Sequence, residues 1–340
     1  MESSTVIKNP AWFLIVAMLV SVAALFVPFL YFIVPALFAA VLIRSASPRI
    51  ALPLFAPSIA CLFVFTDLTD PTGSSFIPSL SLVLAGIAAG IAIWQLQKRK
   101  AGGFNSAFAA AAAGILGLYC AICLPGILSG AGAFAASEAA FRETESILKE
   151  ILAASATKET QPMIDQYLAA FSAYSDSIPT VIVPGICMIG CASGLANTLF
   201  FRAFIRKQAP ALGIPPLTPF RKWQIPSSFT FGLAILLVGT LIVHLTGSEY
   251  YSGISTTVSS LIAFPMGIQG LCFIDYLIAR SSRNHTVKRV LIYTACAVFL
   301  PLLLTMLVMA GCFEQVFRVR QKLDRGSGPL LNNPFRGDDN

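Results

Sequence analysis

From Ala11 to Ile43, 33 consecutive residues pass without Asp, Glu, Lys or Arg, and Val290 to Phe313 is a second run of the same kind. Charge-free apolar runs longer than about 18 residues belong in lipid, because a soluble core element is shorter and keeps a polar face. Composition agrees, with 56% of the 340 residues apolar and only 11% charged, against roughly a quarter charged in soluble domains. The chain is therefore expected to be an all-α, polytopic transmembrane helix bundle.

At 1.5 Å per residue a span takes about 20 residues. The opening run is too long for one span and too short for two full ones. Pro28 and Pro35 suggest a break, with a first span near residues 11–27 and a short second one ending near Ile43. Further segments run over Ile50 to Thr66, Phe76 to Leu96, Phe104 to Leu128, Ile178 to Ile205, Ile225 to Thr246, Ser252 to Ala279 and Val290 to Gly311. These make about eight or nine spans. The expected organisation is N-terminal transmembrane helices over 1–129, an extracytoplasmic amphipathic helical loop over 130–177, C-terminal transmembrane helices over 178–317, and a polar, disordered tail over 318–340. Glu2 and Lys8 precede the first run, and no small-residue cleavage site leads into a polar mature domain, so no cleaved signal peptide is expected.

The net charge of +7 sits in short clusters beside apolar segments rather than along one face of a domain, so it predicts topology and no nucleic-acid partner. The loops around Arg44 and Arg49, Lys98 to Lys100, Arg202 to Lys222 and Arg280 to Arg289 hold fourteen basic residues, and the alternating loops hold three. Positive loops stay inside, which places the N-terminus and all four basic loops in the cytoplasm of a bacterial inner-membrane protein. By alternation the tail after Gly311 should lie outside, yet it carries Arg318, Arg320, Lys322, Arg325 and Arg336. Either the rule fails there or one segment is re-entrant. The segment Ser252 to Ala279, with Pro265, Gly267 and Gly270 at its middle, is the expected place of a break.

Between residues 130 and 177 seven acidic residues face three basic ones. Ser137 is a candidate N-cap, and Phe141, Leu148, Ile151 and Leu152 recur at helical spacing. Glu145 and Lys149 form an i, i+4 pair. Pro162 should stop this helix and open a second from about Met163 to Tyr174. A connector between two halves is the plain reading, and a binding lid is the alternative.

Small residues recur at four-residue spacing in Gly86 with Gly90 and Gly190 with Gly194, a pattern for close internal helix packing. The eight cysteines, including the Cys120 and Cys123 pair and Cys187 with Cys191, lie in apolar segments. They read as buried small thiols, with no metal or cofactor expected. Ionisable or polar groups at membrane depth are functional candidates by default, and the candidate polar site here is Asn197, Gln269 and Asp275. Asp275 has two readings: pairing with Arg280 or Arg283 at the interface, or contacting a substrate or ion. His244, near a helix end, reads as interfacial. In TPFRKWQIP, residues 218–226, Phe220, Arg221, Trp223 and Pro226 have the arrangement of an interfacial anchor directly before a span. No phosphate-cradling glycine loop, nucleophile elbow or pair of carboxylates one turn apart within a span is present, so no enzyme and no catalytic residue is expected.

The stretches PFRKWQIP, IQGLCFIDYLIARS and GCFEQVFRVRQ, in that order, resemble the YybS-like family of predicted bacterial membrane proteins, a family of unknown function. That family shows an aromatic, Arg-rich segment ending in Trp, a basic residue, Leu and Pro. A Gln-Gly pair follows in the penultimate span, and then a final Gly-Leu-x-Asp before Phe-Arg. Here the first is Trp223, Gln224, Ile225, Pro226, and Glu314 stands where Asp is usual, with Val319 after Arg318. The resemblance runs from the N-terminal spans through residue 322. It implies a fold similar to the substrate-binding membrane subunits of vitamin transporters. The resulting expectation is a permease or small-molecule substrate-capture subunit whose partners are the bilayer, energising subunits of a transporter or other membrane proteins, and an unidentified small molecule. A non-transporting scaffold that organises a membrane complex is the alternative.

Overall fold

A computed structural model describes residues 33–44, 76–100, 103–155, 160–248, 251–281 and 285–326, with the isolated positions 15 and 19. Among them there are eleven α-helices and no strand. They are α1 (Val34–Arg44), α2 (Phe76–Lys98), α3 (Gly103–Leu128), α4 (Ala135–Ser155), α5 (Gln161–Asp176), α6 (Ile178–Ile205), α7 (Ser227–Leu245), α8 (Tyr251–Ser281), α9 (His285–Val298), α10 (Leu300–Phe317) and α11 (Val319–Gly326). The expected helix bundle is therefore present. Four helices, α2, α3, α6 and α8, are long and apolar enough to cross a membrane, and α1, α7 and α10 carry shorter apolar stretches. The expected spans near 11–27 and 50–66 lie outside the described residues.

The chain divides into two units, Met1–Leu217 with Leu237–Ser260, and Thr218–Leu236 with Leu261–Asn340. In the first, α2 packs on α3, α3 on α6, and α1 on α2 and α6. Ile93, Phe201 and Ile205 are fully buried among Ala36, Ala39, Ala40 and Ala110. Small residues set the helix spacing. A Cβ at Gly90 would lie 2.9 Å from both the Phe38 Cβ and the Pro35 carbonyl oxygen, and one at Gly194 would strike the Ala107 carbonyl and the Ala111 backbone. Both four-residue glycine pairs therefore serve internal packing, where lipid-facing helices gain stability from close backbone approach.

Helices α4 and α5 form an amphipathic pair, joined by a ring contact of 6.4 Å between Phe141 and Phe171. Lys149 and Glu145 make their ion pair at 2.7 Å. The first helix begins at Ala135, so Ser137 lies within its first turn rather than at the N-cap. Pro162 sits at the start of α5, where its missing N–H costs nothing.

In the second unit α8 is one continuous helix through Pro265, and the expected break there is corrected. The interruption falls at Phe299, between α9 and α10, where φ is −107° and ψ is 26°, with Pro301 in the first turn of α10. A proline ring clashes with the carbonyl four residues earlier, so Pro301 opens a helix more readily than it continues one. Gly267 and Gly270 of α8 act as contact points instead of hinges. A Cβ at Gly270 would strike the Leu307 carbonyl, and one at Gly311 would strike the Met266 carbonyl. Gly267 faces Leu304 and Val308, and Tyr276, one turn or more further on, bonds Asp324. Gln269 and Gln315, beyond the Gly267 contact on each helix, bond the same residue, Ile225, so positions advance together and α8 and α10 run parallel.

That direction accounts for the basic tail. Residues 319–326, expected to be disordered, form α11, and Arg320 donates to the carbonyls of Arg221 and Trp223, each at 2.9 Å. Helix α11 therefore lies at the same end of the unit as the 218–226 segment and the C-terminal end of α8. The α9–α10 pair, and not α8, is the segment that turns back. The side chains of Leu302, Met306, Met309, Phe313 and Val316 lie exposed along one stripe of α10, a surface of the kind that meets lipid or another protein.

Candidate functional site

The segment from Thr218 to Pro226 is rich in proline and aromatic residues, and only Phe220–Lys222 forms a 3-10 turn. Beyond the turn bonds from the Lys222 and Trp223 N–H groups to the Pro219 and Phe220 carbonyls, its backbone lacks the partners of a regular helix, and groups removed from water must still be satisfied. Side chains do this. Gln269 Oε1 on α8 accepts the Ile225 N–H at 3.3 Å. Gln315 Nε2 on α10 donates to the Ile225 carbonyl at 3.3 Å and to Thr230 Oγ1 at 2.7 Å. Trp223 Nε1 donates to the Thr218 carbonyl at 2.8 Å, and Phe220 packs edge-on against Trp223 with centroids 5.4 Å apart. Phe220, Arg221, Trp223 and Pro226 thus belong to a segment held by other helices.

Arg320 ties the same segment down. Its Nε donates to Glu314 Oε1 at 2.8 Å, and its N–H donates to Glu314 Oε2 at 3.2 Å. Both side chains are almost fully buried. The geometry depends on Arg318, which ends α10 in the left-handed region at φ 49° and turns α11 back over Glu314. An isolated buried charge is expensive, whereas a paired and hydrogen-bonded one is tolerated.

Gln269, Gln224, Ile225, Pro226, Glu314, Gln315, Arg318 and Gln321 border a cavity of about 380 Å³. That volume suits a small ligand, and glutamine amides share its border with Glu314 and Arg318. Asp275 is buried one and a half turns further along α8 and pairs with Arg289 of α9 at 2.6 Å. The observed partner is therefore Arg289 at the start of α9 rather than the expected Arg280; the other expected partner, Arg283, lies outside the described residues. Asn197 belongs to the first unit. Its Oδ1 accepts the Ala36 N–H at 3.0 Å in the first turn of α1, and its Nδ2 donates to the Ser193 carbonyl at 2.9 Å. It caps a helix. Of the three expected polar residues, only Gln269 borders the cavity.

Glu314, Gln315 and Arg320 did not enter the expected site. Glu314 had a signal, being a carboxylate that ends an apolar run of 24 residues. His244 stacks on Tyr251 with centroids 4.5 Å apart. The seven described cysteines are free, and no group of three metal-ligating side chains occurs among the described residues.

Long apolar helices with exposed apolar stripes and polar groups gathered at helix ends define an α-helical integral membrane protein. The model of the predicted membrane protein family DUF2232 matches residues 13–313, and the chain belongs to that family, in line with the YybS-like resemblance of its motifs. No curated protein and no solved structure matches the chain.

Proposed function

We propose that this chain is a non-enzymatic membrane component that captures a small polar molecule, as a permease or the substrate-binding subunit of a transporter does. The observation that carries this reading is the 380 Å³ cavity whose border includes Gln224, Gln269, Gln315 and Gln321. Amides both donate and accept, and Glu314 and Arg318 add one charge of each sign to the border, so the lining suits a polar solute without net charge better than a hydrocarbon. We assign the protein to the bacterial inner membrane, with the N-terminus and the basic loops cytoplasmic on the positive-inside rule. Energising subunits are its expected partners. The test is thermal unfolding of the purified full chain in mild detergent against a panel of small polar molecules. A true ligand at a hundredfold excess over its Kd stabilises by about 2.7 kcal/mol, and Gln224→Ala with Gln321→Ala should abolish the shift. A panel that leaves the wild type unmoved, or a shift retained by the double variant, counts against capture.

The scaffold reading rests on a different observation, the exposed Ile147, Ile151, Met163 and Tyr167 on α4 and α5. It predicts a protein partner that survives mild extraction and is released on deletion of residues 133–175. A complex unchanged by that deletion removes its support.

A further inference from the structure

The same end of the second unit carries another opening, of about 750 Å³, and its chemistry differs from that of the amide-lined cavity. Arg221 and Lys222 border it from the 3-10 turn, Tyr276 and Arg280 from the end of α8, and Arg320 and Asp324 from α11. Arg221, Lys222, Arg280 and Arg320 stand against Asp324 in the lining and Glu314 behind Arg320, which leaves an excess of two positive charges. Asp324 accepts a hydrogen bond from the Tyr276 hydroxyl, and Arg280 Nη1 donates to that hydroxyl at 3.4 Å.

Arg320 supplies the second observation. It is 2% exposed. Its Nε and Nη1 are engaged by Glu314 and by the carbonyls of Arg221 and Trp223, but its buried Nη2 has no hydrogen-bond partner. Buried donors in folded proteins are almost always satisfied, and the planar guanidinium fork matches the oxygens of a phosphate. Position narrows the ligand further. Arg221 and Lys222 lie shortly before α7, and Arg280 lies in the last turn of α8, and basic residues at the ends of apolar helices meet lipid headgroups. Basic pockets between helices at that level take anionic headgroups.

We propose that this cleft binds the phosphate of an acidic phospholipid headgroup, with Arg221, Lys222, Arg280 and Arg320 as its donors. The full chain would be reconstituted in vesicles of phosphatidylglycerol and phosphatidylcholine in equal parts. Native mass spectrometry would then count the lipids it retains on release. Wild type should retain phosphatidylglycerol preferentially, and Lys222→Gln with Arg280→Gln should reduce that preference at least about tenfold. Both residues are exposed, so this double variant leaves the buried Glu314–Arg320 pair intact and spares folding. The double variant's unfolding temperature in the absence of phosphate should match the wild type. If neither lipid is preferred but inorganic phosphate raises the unfolding temperature of wild type and not of the double variant, the anion site stands and its occupant is soluble. Equal retention of both lipids together with no effect of phosphate, or a preference unchanged in the double variant, overturns the proposal.

Discussion

Ile225 shows how a single residue organises this protein. Flanked by Pro226 and an extended chain, it has neither helix nor strand to complete its backbone, and Gln269 and Gln315 serve its N–H and its carbonyl. Gln269→Leu leaves that N–H unsatisfied and should cost about 1–3 kcal/mol in denaturant unfolding in mild detergent. A cost near zero would mean that the bond contributes nothing. The buried pair is more demanding. Arg320→Met strands Glu314 and should cost about 3–5 kcal/mol, while Arg320→Met with Glu314→Leu should recover much of it. A double variant as unstable as the single one contradicts this account. Glu314 was legible as a charge at the edge of an apolar run, but Arg320 was not. It sits among tail residues that read as solvated, and its approach depends on a left-handed turn at Arg318, a position where glycine is the usual signal.

Among the elements, the apolar runs marked α2, α3 and α6 nearly to the residue, because lipid imposes a minimum length on any helix that crosses it. The break was not legible. Both Pro265 and Pro301 lie in apolar runs, and a proline there either bends a helix or begins one, depending on what covers the freed backbone. The outcome is set by packing: α10 presses its backbone onto α8 at Gly270 and Gly311, as the contacts of a Cβ at either position show. Gly270→Leu or Gly311→Leu should therefore destabilise by at least about 1–3 kcal/mol. Gly232 on α7 has nothing within 4 Å of its Cβ, and Gly232→Ala should be neutral or stabilising by up to about 1 kcal/mol. Equal effects at the packed and open glycines would refute the close α8–α10 contact.

At the scale of the molecule, charge counting agrees with the geometry of the second unit once the α9–α10 pair is taken as turning back, because α11 then shares an end with the 218–226 segment. Simple alternation of spans puts them on opposite sides. With Lys222→Cys and Lys322→Cys made separately, a membrane-impermeant maleimide should label both from the same side of sealed vesicles. Labelling from opposite sides would break the parallel arrangement of α8 and α10. The proposed capture role rests on the cavity bordered by Gln224, Gln269, Gln315 and Gln321, and of the residues expected to form a polar site only Gln269 borders it. Asn197 and Asp275 both entered the expected site because a polar side chain at membrane depth signals a need for partners, although only Asp275 had candidate ion-pair partners in the sequence. The most direct measurement is native mass spectrometry of the full chain extracted gently from its own membrane. The account predicts a reproducible small polar molecule bound to wild type and lost from the Gln224→Ala, Gln321→Ala variant; a chain that emerges with an empty cavity and a stoichiometric protein partner would contradict it.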